Sequence, residues 1–412
     1  MQQEILEHID NPGQLEKIYR ANKTAFKRTF NTLYPELKGN TLAGFWNERL
    51  NYESDEISWG TSRELIFVIM ASLLAGLIAK LAAFLNIDEE FYYSRNIGFI
   101  VFPIIAVYFA WKNKLTTGKI ALAAGLMLAG LVFINLLPNV KESNTLILSC
   151  IHLALFLWSV LGFAFVGDYK NDEQKRLGFL KYNGDLVVMT GLILIAGGIM
   201  SAITVGLFEL IGFHIGFYFK NVAIYGLAAA PIVGTYLTQT NPQLVGKVSP
   251  VIAKLFSPLV LVMLVVYLIA IMYSRKNPYN DREFLMIFNA LLIGVMAIIF
   301  FSVAEAKAAK SSAQLWILTL LSVVTIVVNG VALSAILFRI SEWGITPNRA
   351  AVLGANVLIL INLILVAVQF FKVLTKKAEL SGVGRVIAYY LPVYFVWTIV
   401  VTFIFPLIFG FK

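Results

Sequence analysis

The chain has 412 residues, of which 59% are hydrophobic and only 14% charged, and its mean hydropathy is +0.78. Globular domains carry about 25% charged residues, so this composition excludes an ordinary water-soluble fold. The formal net charge of +9 does not point to nucleic acid, because the basic residues gather in alternate connectors between apolar runs, a membrane-topology pattern.

Residues 1–61 form the one polar segment of any size. Asn11 and Pro12 pair as N-cap and first helical residue. Leu15, Ile18, Tyr19, Phe26, Phe30 and Leu33 then recur at helical spacing, opposite Lys17, Arg20, Lys23, Lys27 and Arg28, until Pro35. A second stripe holds Leu42, Phe45, Trp46 and Leu50. The segment reads as a cytoplasmic amphipathic helical region. It is expected either to lie on an anionic leaflet or bind a partner, or to form a small helical cap. No h-region of a cleavable signal is visible here, so the first span is expected to serve as an uncleaved anchor.

From residue 62 onward the sequence reads as a transmembrane helical domain to residue 410. About eleven spans are expected at 62–85, 97–111, 119–137, 145–166, 184–212, 220–238, 253–274, 283–303, 313–340, 347–372 and 386–410. The fold class is therefore an all-α polytopic bundle. With the N-terminus in the cytoplasm, 23 of the 33 Lys and Arg fall on the inner side and 9 on the outer, with Lys80 inside the first span. That bias predicts N-in and C-out. Trp59, Trp111, Trp343 and the Tyr92–Tyr93 pair lie near span ends, as interfacial anchors do.

Catalytic motifs are missing. His8, His152 and His214 show no paired-ligand spacing, and the chain has neither a P-loop nor a nucleophile elbow. No metal, cofactor or catalytic residue is expected, although an intramembrane enzyme with dispersed residues stays open as an alternative. Cys150 is the single cysteine, so no disulfide can form within the chain.

Polar groups inside spans carry what functional signal there is. Asn356, Asn362 and Gln369 in the tenth span, with Asn329 in the ninth and Asn289 in the eighth, are a candidate polar lining or an interhelical glue. Asn362 and Gln369 share a face, whereas Asn356 is rotated away, so no continuous track is expected. Glu209, His214 and His152 are candidate proton-handling groups, with interfacial or structural roles as the alternative. Gly191, Gly197, Gly198, Gly206, Gly226, Pro231 and Gly234 favour close packing or unwinding in the fifth and sixth spans.

Between the ninth and tenth spans, Gly344 can end one helix, and Thr346 with Pro347 can start the next. Arg339 and Glu342 are close enough to pair. Arg349 sits in a first turn, where the helix dipole disfavours a cation, which calls for a partner such as Glu342 or an anion. The run Trp343-Gly344-Ile345-Thr346-Pro347-Asn348-Arg349, preceded by Arg339, resembles the signature of a bacterial multi-pass family known as domain of unknown function 4153. The stretch Asn277-Pro278-Tyr279 is similar to that family as well. The resemblance implies a bacterial inner-membrane protein and most of residues 60–412, but no substrate. The expected function is a transporter-like or permease-like bundle for a small molecule, ion or lipid. The alternative is a non-catalytic scaffold or regulator that binds envelope partners through residues 1–61. The lipid bilayer is the expected partner, and nucleic acid is not.

Overall fold

The structure is a computed structural model that describes residues 2–37, 39–51, 59–140, 142–167, 172–210, 216, 222–246, 248–273, 279, 282–305 and 312–411. Its described elements are all helical. The chain divides into two compact units, Met1–Ser58 and Trp59–Lys412. The boundary comes slightly ahead of the expected 61, because the residues that follow Ser58 serve the second unit. The Tyr236 hydroxyl donates to the Trp59 carbonyl, and the Thr61 hydroxyl accepts from the Glu64 amide at 3.2 Å, capping the first apolar helix.

The first unit contains α1 (Gln2–Glu7), α2 (Pro12–Ala21), α3 (Lys23–Leu37) and α4 (Thr41–Asn51). Asn11 caps α2 as its sequence predicts, accepting from the Gln14 amide at 3.2 Å. The expected single helix up to Pro35 is instead two. Asn22 ends α2, and its side chain accepts the Ala25 amide at 3.0 Å to start α3. Pro35 falls inside the last turns of α3 and does not end it.

That break lets the stripe fold onto itself. Leu15, Phe26, Phe30 and Leu33 join Ile5, Ala43, Trp46 and Leu50 in one buried core, with Ile18, Tyr19 and Leu42 packed against it. The stripe is thus covered within the unit and is not presented to a lipid surface. Phe45 is the member of the second stripe left exposed. Glu16 accepts from Arg20 and pairs with Arg49, each at 2.8 Å. The Arg20 hydrogen bond, helped by that of Arg49, holds its carboxyl below the usual range against a desolvation cost.

The second unit comprises α5 (Ser62–Ala79), α6 (Leu81–Leu85), α7 (Glu89–Lys112), α8 (Thr117–Leu136), α9 (Asn144–Val166), α10 (Glu173–Leu210), α11 (Ile224–Thr240), α12 (Pro242–Gly246), α13 (Val248–Tyr273), α14 (Arg282–Ala304), α15 (Ser312–Trp343), α16 (Pro347–Leu374) and α17 (Leu380–Ile399). A π-turn at Val400–Ile404 leads into α18 (Phe405–Ile408). Among the described residues, eight rods are long and apolar enough to cross a membrane: α5, α7, α8, α9, α10, α15, α16 and the α17–α18 rod. Helices are the natural solution there, since they satisfy their own backbone in hydrocarbon. The chain is a multi-pass, all-α membrane protein.

Two large apolar cores and a small one around Ala351, Val401 and Phe405 hold the described bundle. Of the large ones, one draws mainly on α5, α7, α8, α9 and α11, the other on α13 to α17. The α15–α16 and α5–α11 pairs make the most extensive contacts.

Three local readings change. The first span breaks at Lys80, and the Tyr92 and Tyr93 hydroxyls donate to the Ile78 and Ala79 carbonyls, each at 2.7 Å. These tyrosines therefore satisfy a helix end, and Tyr92 is buried. The second span begins earlier than 97, because Arg95 and Asn96 are buried inside α7 with partners on and beyond α8. Arg95 donates to the Ile134 carbonyl and, at 3.1 Å, to that of Leu137. Asn96 and Asn135 exchange amide hydrogen bonds at 3.0 and 2.8 Å. Finally, α10 starts well before 184 and runs for 38 residues. Of the glycines in this region, Gly191, Gly197, Gly198 and Gly226 have open space where a Cβ would lie, whereas Gly234 packs against Thr190.

Candidate functional site

The polar interior is centred on α15 and α16. Along α15, Thr319, Ser322, Thr325 and Asn329 fall on one face, and all four are buried. The three hydroxyls donate to carbonyls one turn back, at 2.7, 2.8 and 2.6 Å. A hydroxyl used this way keeps acceptor capacity on its oxygen. Asn329 Nδ2 donates to the Asn356 carbonyl at 3.2 Å, joining α15 to α16. Asn362 Nδ2 donates to the Tyr394 hydroxyl of α17 at 2.8 Å, and that hydroxyl donates to Met296 Sδ of α14 at 3.2 Å.

Among the described residues, the amides of α15 and α16 leave Asn329 Oδ1, Asn356 Nδ2 and Asn362 Oδ1 unmatched. Their residues are at most 1% exposed. An unmatched polar atom at such depth costs about 1–3 kcal/mol, so water or a solute is the natural complement. The expected lining is thus brought together in part. Asn329 and Asn356 meet where α15 packs on α16, whereas Asn362 meets Tyr394 of α17. Asn289 is half-buried in α14, and Gln369 lies farther along α16, its Nε2 against Gly382, where an added Cβ would come within 2.3 Å. The hydroxyl face of α15 had no sequence signal of its own, because Ser and Thr are ordinary in membrane helices.

A charged cluster that the sequence did not single out lies on α10. Lys181 Nζ donates to both carboxylate oxygens of Glu305, just beyond the end of α14, at 2.8 and 2.9 Å. The Glu305 side chain is 4% exposed. Asp185, one turn on from Lys181, is buried too. Between them, the Tyr182 hydroxyl donates to Thr235 Oγ1 of α11 at 2.8 Å, since Thr235 spends its own proton on the Pro231 carbonyl. Asn183 Oδ1 accepts from the Trp158 indole at 2.8 Å. Close approach of α10 to α14 requires Gly184, because a Cβ there would stand 1.9 Å from the Phe301 ring.

The proton-handling candidates are not assembled among the described residues. His152 donates from Nδ1 to the Leu148 carbonyl of its own helix at 2.9 Å. The backbone of Glu209 lies in the last turn of α10, and His214 lies outside the described residues.

At the α15–α16 junction, Thr346 accepts from the Arg349 amide at 3.4 Å, and Gly344 adopts a φ of +73°. The Arg349 guanidinium donates to the Trp343 and Gly344 carbonyls at 2.9 and 2.7 Å. The cation sits on the first turn of α16 but serves the C-terminal end of α15, where the dipole favours it. Its bonds therefore run to carbonyls, and Glu342 is exposed. Arg339 donates to the Tyr279 carbonyl at 3.0 Å, while Asn277 and Pro278 lie outside the described residues. Both guanidinium carbons lie 5.6 Å from the Trp343 ring centre. Arg349→Ala is expected to lower the melting temperature in detergent, by about 0.5–1.5 kcal/mol for the exposed hydrogen bonds it removes, while Glu342→Ala leaves it unchanged. Equal melting of both variants and the parent would remove the carbonyl clasp.

A cavity of about 470 Å³ opens among α8, α9, α10 and α17, and none of the five candidate amides lines it. No protein-family model matches the chain, and no curated protein or solved structure matches it.

Proposed function

We propose that this protein is a permease-like bundle for a small polar solute or ion, caught closed. The observation that carries the reading is the set of unmatched amide atoms on Asn329, Asn356 and Asn362, deep between helices packed mainly through apolar side chains. Intramembrane polar groups are costly and normally face a partner or an aqueous path. Thr319, Ser322 and Thr325 extend that seam along α15. In the closed form the α15–α16 contact squeezes the lane shut, and parting these helices would offer its oxygens to a solute. The scaffold reading loses its main support, because the N-terminal stripe is consumed inside its own core.

The same proposal places α11, α13 and α14 across the bilayer as well. That gives eleven crossings, an inner-membrane location, a cytoplasmic N-terminus and an external C-terminus. The balance of Lys and Arg between alternate connectors supports this orientation, and the likeness of the α15–α16 turn to domain of unknown function 4153 supports a bacterial membrane.

Cysteine accessibility tests the lane. Cys150→Ala removes the one native thiol, after which Asn329→Cys, Asn362→Cys and the lipid-facing control Leu337→Cys are placed singly. In proteoliposomes, a small membrane-impermeant thiosulfonate is expected to modify the first two faster than the control. Protection of both lane positions at the level of Leu337→Cys would mean that the amides are permanent interhelical glue.

A further inference from the structure

A row of oxygens runs along one face of α15. Ser322, Thr325 and Asn329 follow Thr319 at steps of three, three and four, so their side chains share that face, and all four are at most 2% exposed. Each hydroxyl spends its single proton one turn back. Thr319 donates to the Leu315 carbonyl, Ser322 to that of Leu318 and Thr325 to that of Leu321, at 2.7, 2.8 and 2.6 Å. Lone pairs are what each hydroxyl has left. Asn329 ends the row in the same sense. Its Nδ2 donates to the Asn356 carbonyl at 3.2 Å, and its Oδ1 is the end that meets no donor.

The row lies in a stretch without charge. No Asp, Glu, Lys or Arg occurs between Ser312 and Phe338 of α15, or between Ala350 and Phe371 of α16. Asn329 stands near the midpoint of α15, Ser312–Trp343. From Thr319 to Asn329 the row spans about 15 Å at the helical rise, roughly half the hydrocarbon thickness. Fixed acceptors at that depth repel an anion. They offer a bare cation the oxygens it gives up with its hydration shell. A water or polyol brings a lone pair with every proton, so it would set oxygen against oxygen along the row. Divalent ions bind where carboxylates balance them, and the row has none. Uncharged ligands also let an ion leave, as transit requires. Asn356 Nδ2, an unmatched donor, belongs to α16 and not to the row.

We propose that Ser322, Thr325 and Asn329 form a binding site for a monovalent alkali cation, with Asn329 Oδ1 and the two hydroxyl oxygens replacing part of its water. The inference rests on the permease reading above and names what the α15 lane carries.

The test uses the full chain in detergent and reads its melting temperature in sodium, potassium or choline chloride at equal concentrations. Choline matches the charge and ionic strength but shields its nitrogen with methyl groups. A ligand that binds the folded state stabilises it with the logarithm of its concentration. Sodium or potassium is therefore expected to raise the melting temperature over choline by about 2 °C per tenfold increase above half-saturation. Thr325→Val keeps the shape of the side chain and deletes its oxygen, so it should abolish that advantage. Ser322→Ala should diminish it, and Thr325→Ser should retain it. Ser341→Ala, at an exposed position of the same helix, should leave it whole. Equal melting of the parent in all three salts overturns the proposal, as does a folded Thr325→Val that keeps the full cation advantage. Should that variant not fold, an undiminished advantage in Ser322→Ala overturns it instead. The cysteine experiment fails separately. A reactive Asn329→Cys without a cation effect leaves an aqueous lane for another solute and sinks the ion site. A cation effect with a protected cysteine keeps the ion site and sinks the lane.

Discussion

Lys181→Met is expected to destabilise the membrane unit by about 2–3 kcal/mol, read as a lower melting temperature in detergent. The argument rests on asymmetry of burial. The Glu305 side chain is 4% exposed and Lys181 27% exposed. Removing the lysine strips a buried carboxylate of the ammonium that both its oxygens accept from, at 2.8 and 2.9 Å. Breaking a buried pair from one side costs about 3–5 kcal/mol, and the partial exposure of Lys181 scales that down. Removing both charges should cost much less, because the desolvation penalty disappears with them. Lys181→Met with Glu305→Met is therefore expected to melt near the parent. A single variant as stable as the parent, or a double variant no better than the single, would show that the pair does not hold α10 to α14.

The second large effect lies in residues 1–58. Phe26→Ala is expected to unfold that unit while the apolar helices remain intact. Phe26 is fully buried, and its ring stands 5.7, 5.8 and 5.2 Å from those of Tyr19, Phe30 and Trp46. Emptying such a site costs about 3–5 kcal/mol, which is much of what a unit of this size commands. Trypsin should then cut the variant at Lys17 and Lys27 under conditions where the parent is spared. Phe45→Ala, at a ring 69% exposed, is the neutral comparison. Equal resistance of parent and Phe26→Ala would show that this core does not hold the unit together.

The bundle was legible because a run of apolar residues near 20 long is itself the record of a hydrocarbon layer. The reading at 347–372 meets α16, Pro347–Leu374, since Thr346 and Pro347 mark a helix start in local chemistry alone. Where boundaries slipped, a polar residue was buried by something distant in sequence. Arg95 and Asn96 looked like a loop, yet carbonyls at Ile134 and Leu137 and the amide of Asn135 absorb them. Hydropathy counts a residue's cost in lipid and has no means of seeing its partner. The N-terminal stripe erred differently. Its spacing is helical throughout, but Asn22 inserts a cap that only the folded-back arrangement uses.

The candidate site was legible in the same uneven way. Amides stand out in an apolar helix, so Asn329, Asn356 and Asn362 are visible in the sequence as buried-polar candidates. The expectation that Asn356 turns away from Asn362 holds for α16 taken alone. Both are nevertheless buried, one against α15 and the other against α17. A helix surrounded by neighbours has no single inner face. Asp185 and Glu305 escaped notice because each lies at the edge of an apolar run, where charges usually meet water. Arg349 was marked as needing a partner, but backbone carbonyls carry no sequence signature.

The π-turn at Val400–Ile404 has one more consequence. Such a turn holds an extra residue relative to regular winding, and its Thr402 carbonyl accepts from the Ser149 hydroxyl at 2.9 Å. Each residue of an α-helix advances the azimuth by about 100°. Deleting one residue in this stretch would let the backbone re-form its ladder at little local expense, yet every later side chain would rotate by that angle. Phe405, now in a small core with Ala351 and Val401, would swing out of register. The final rod is thereby indexed to its neighbours by residue count, so its tail tolerates substitution better than a change of length.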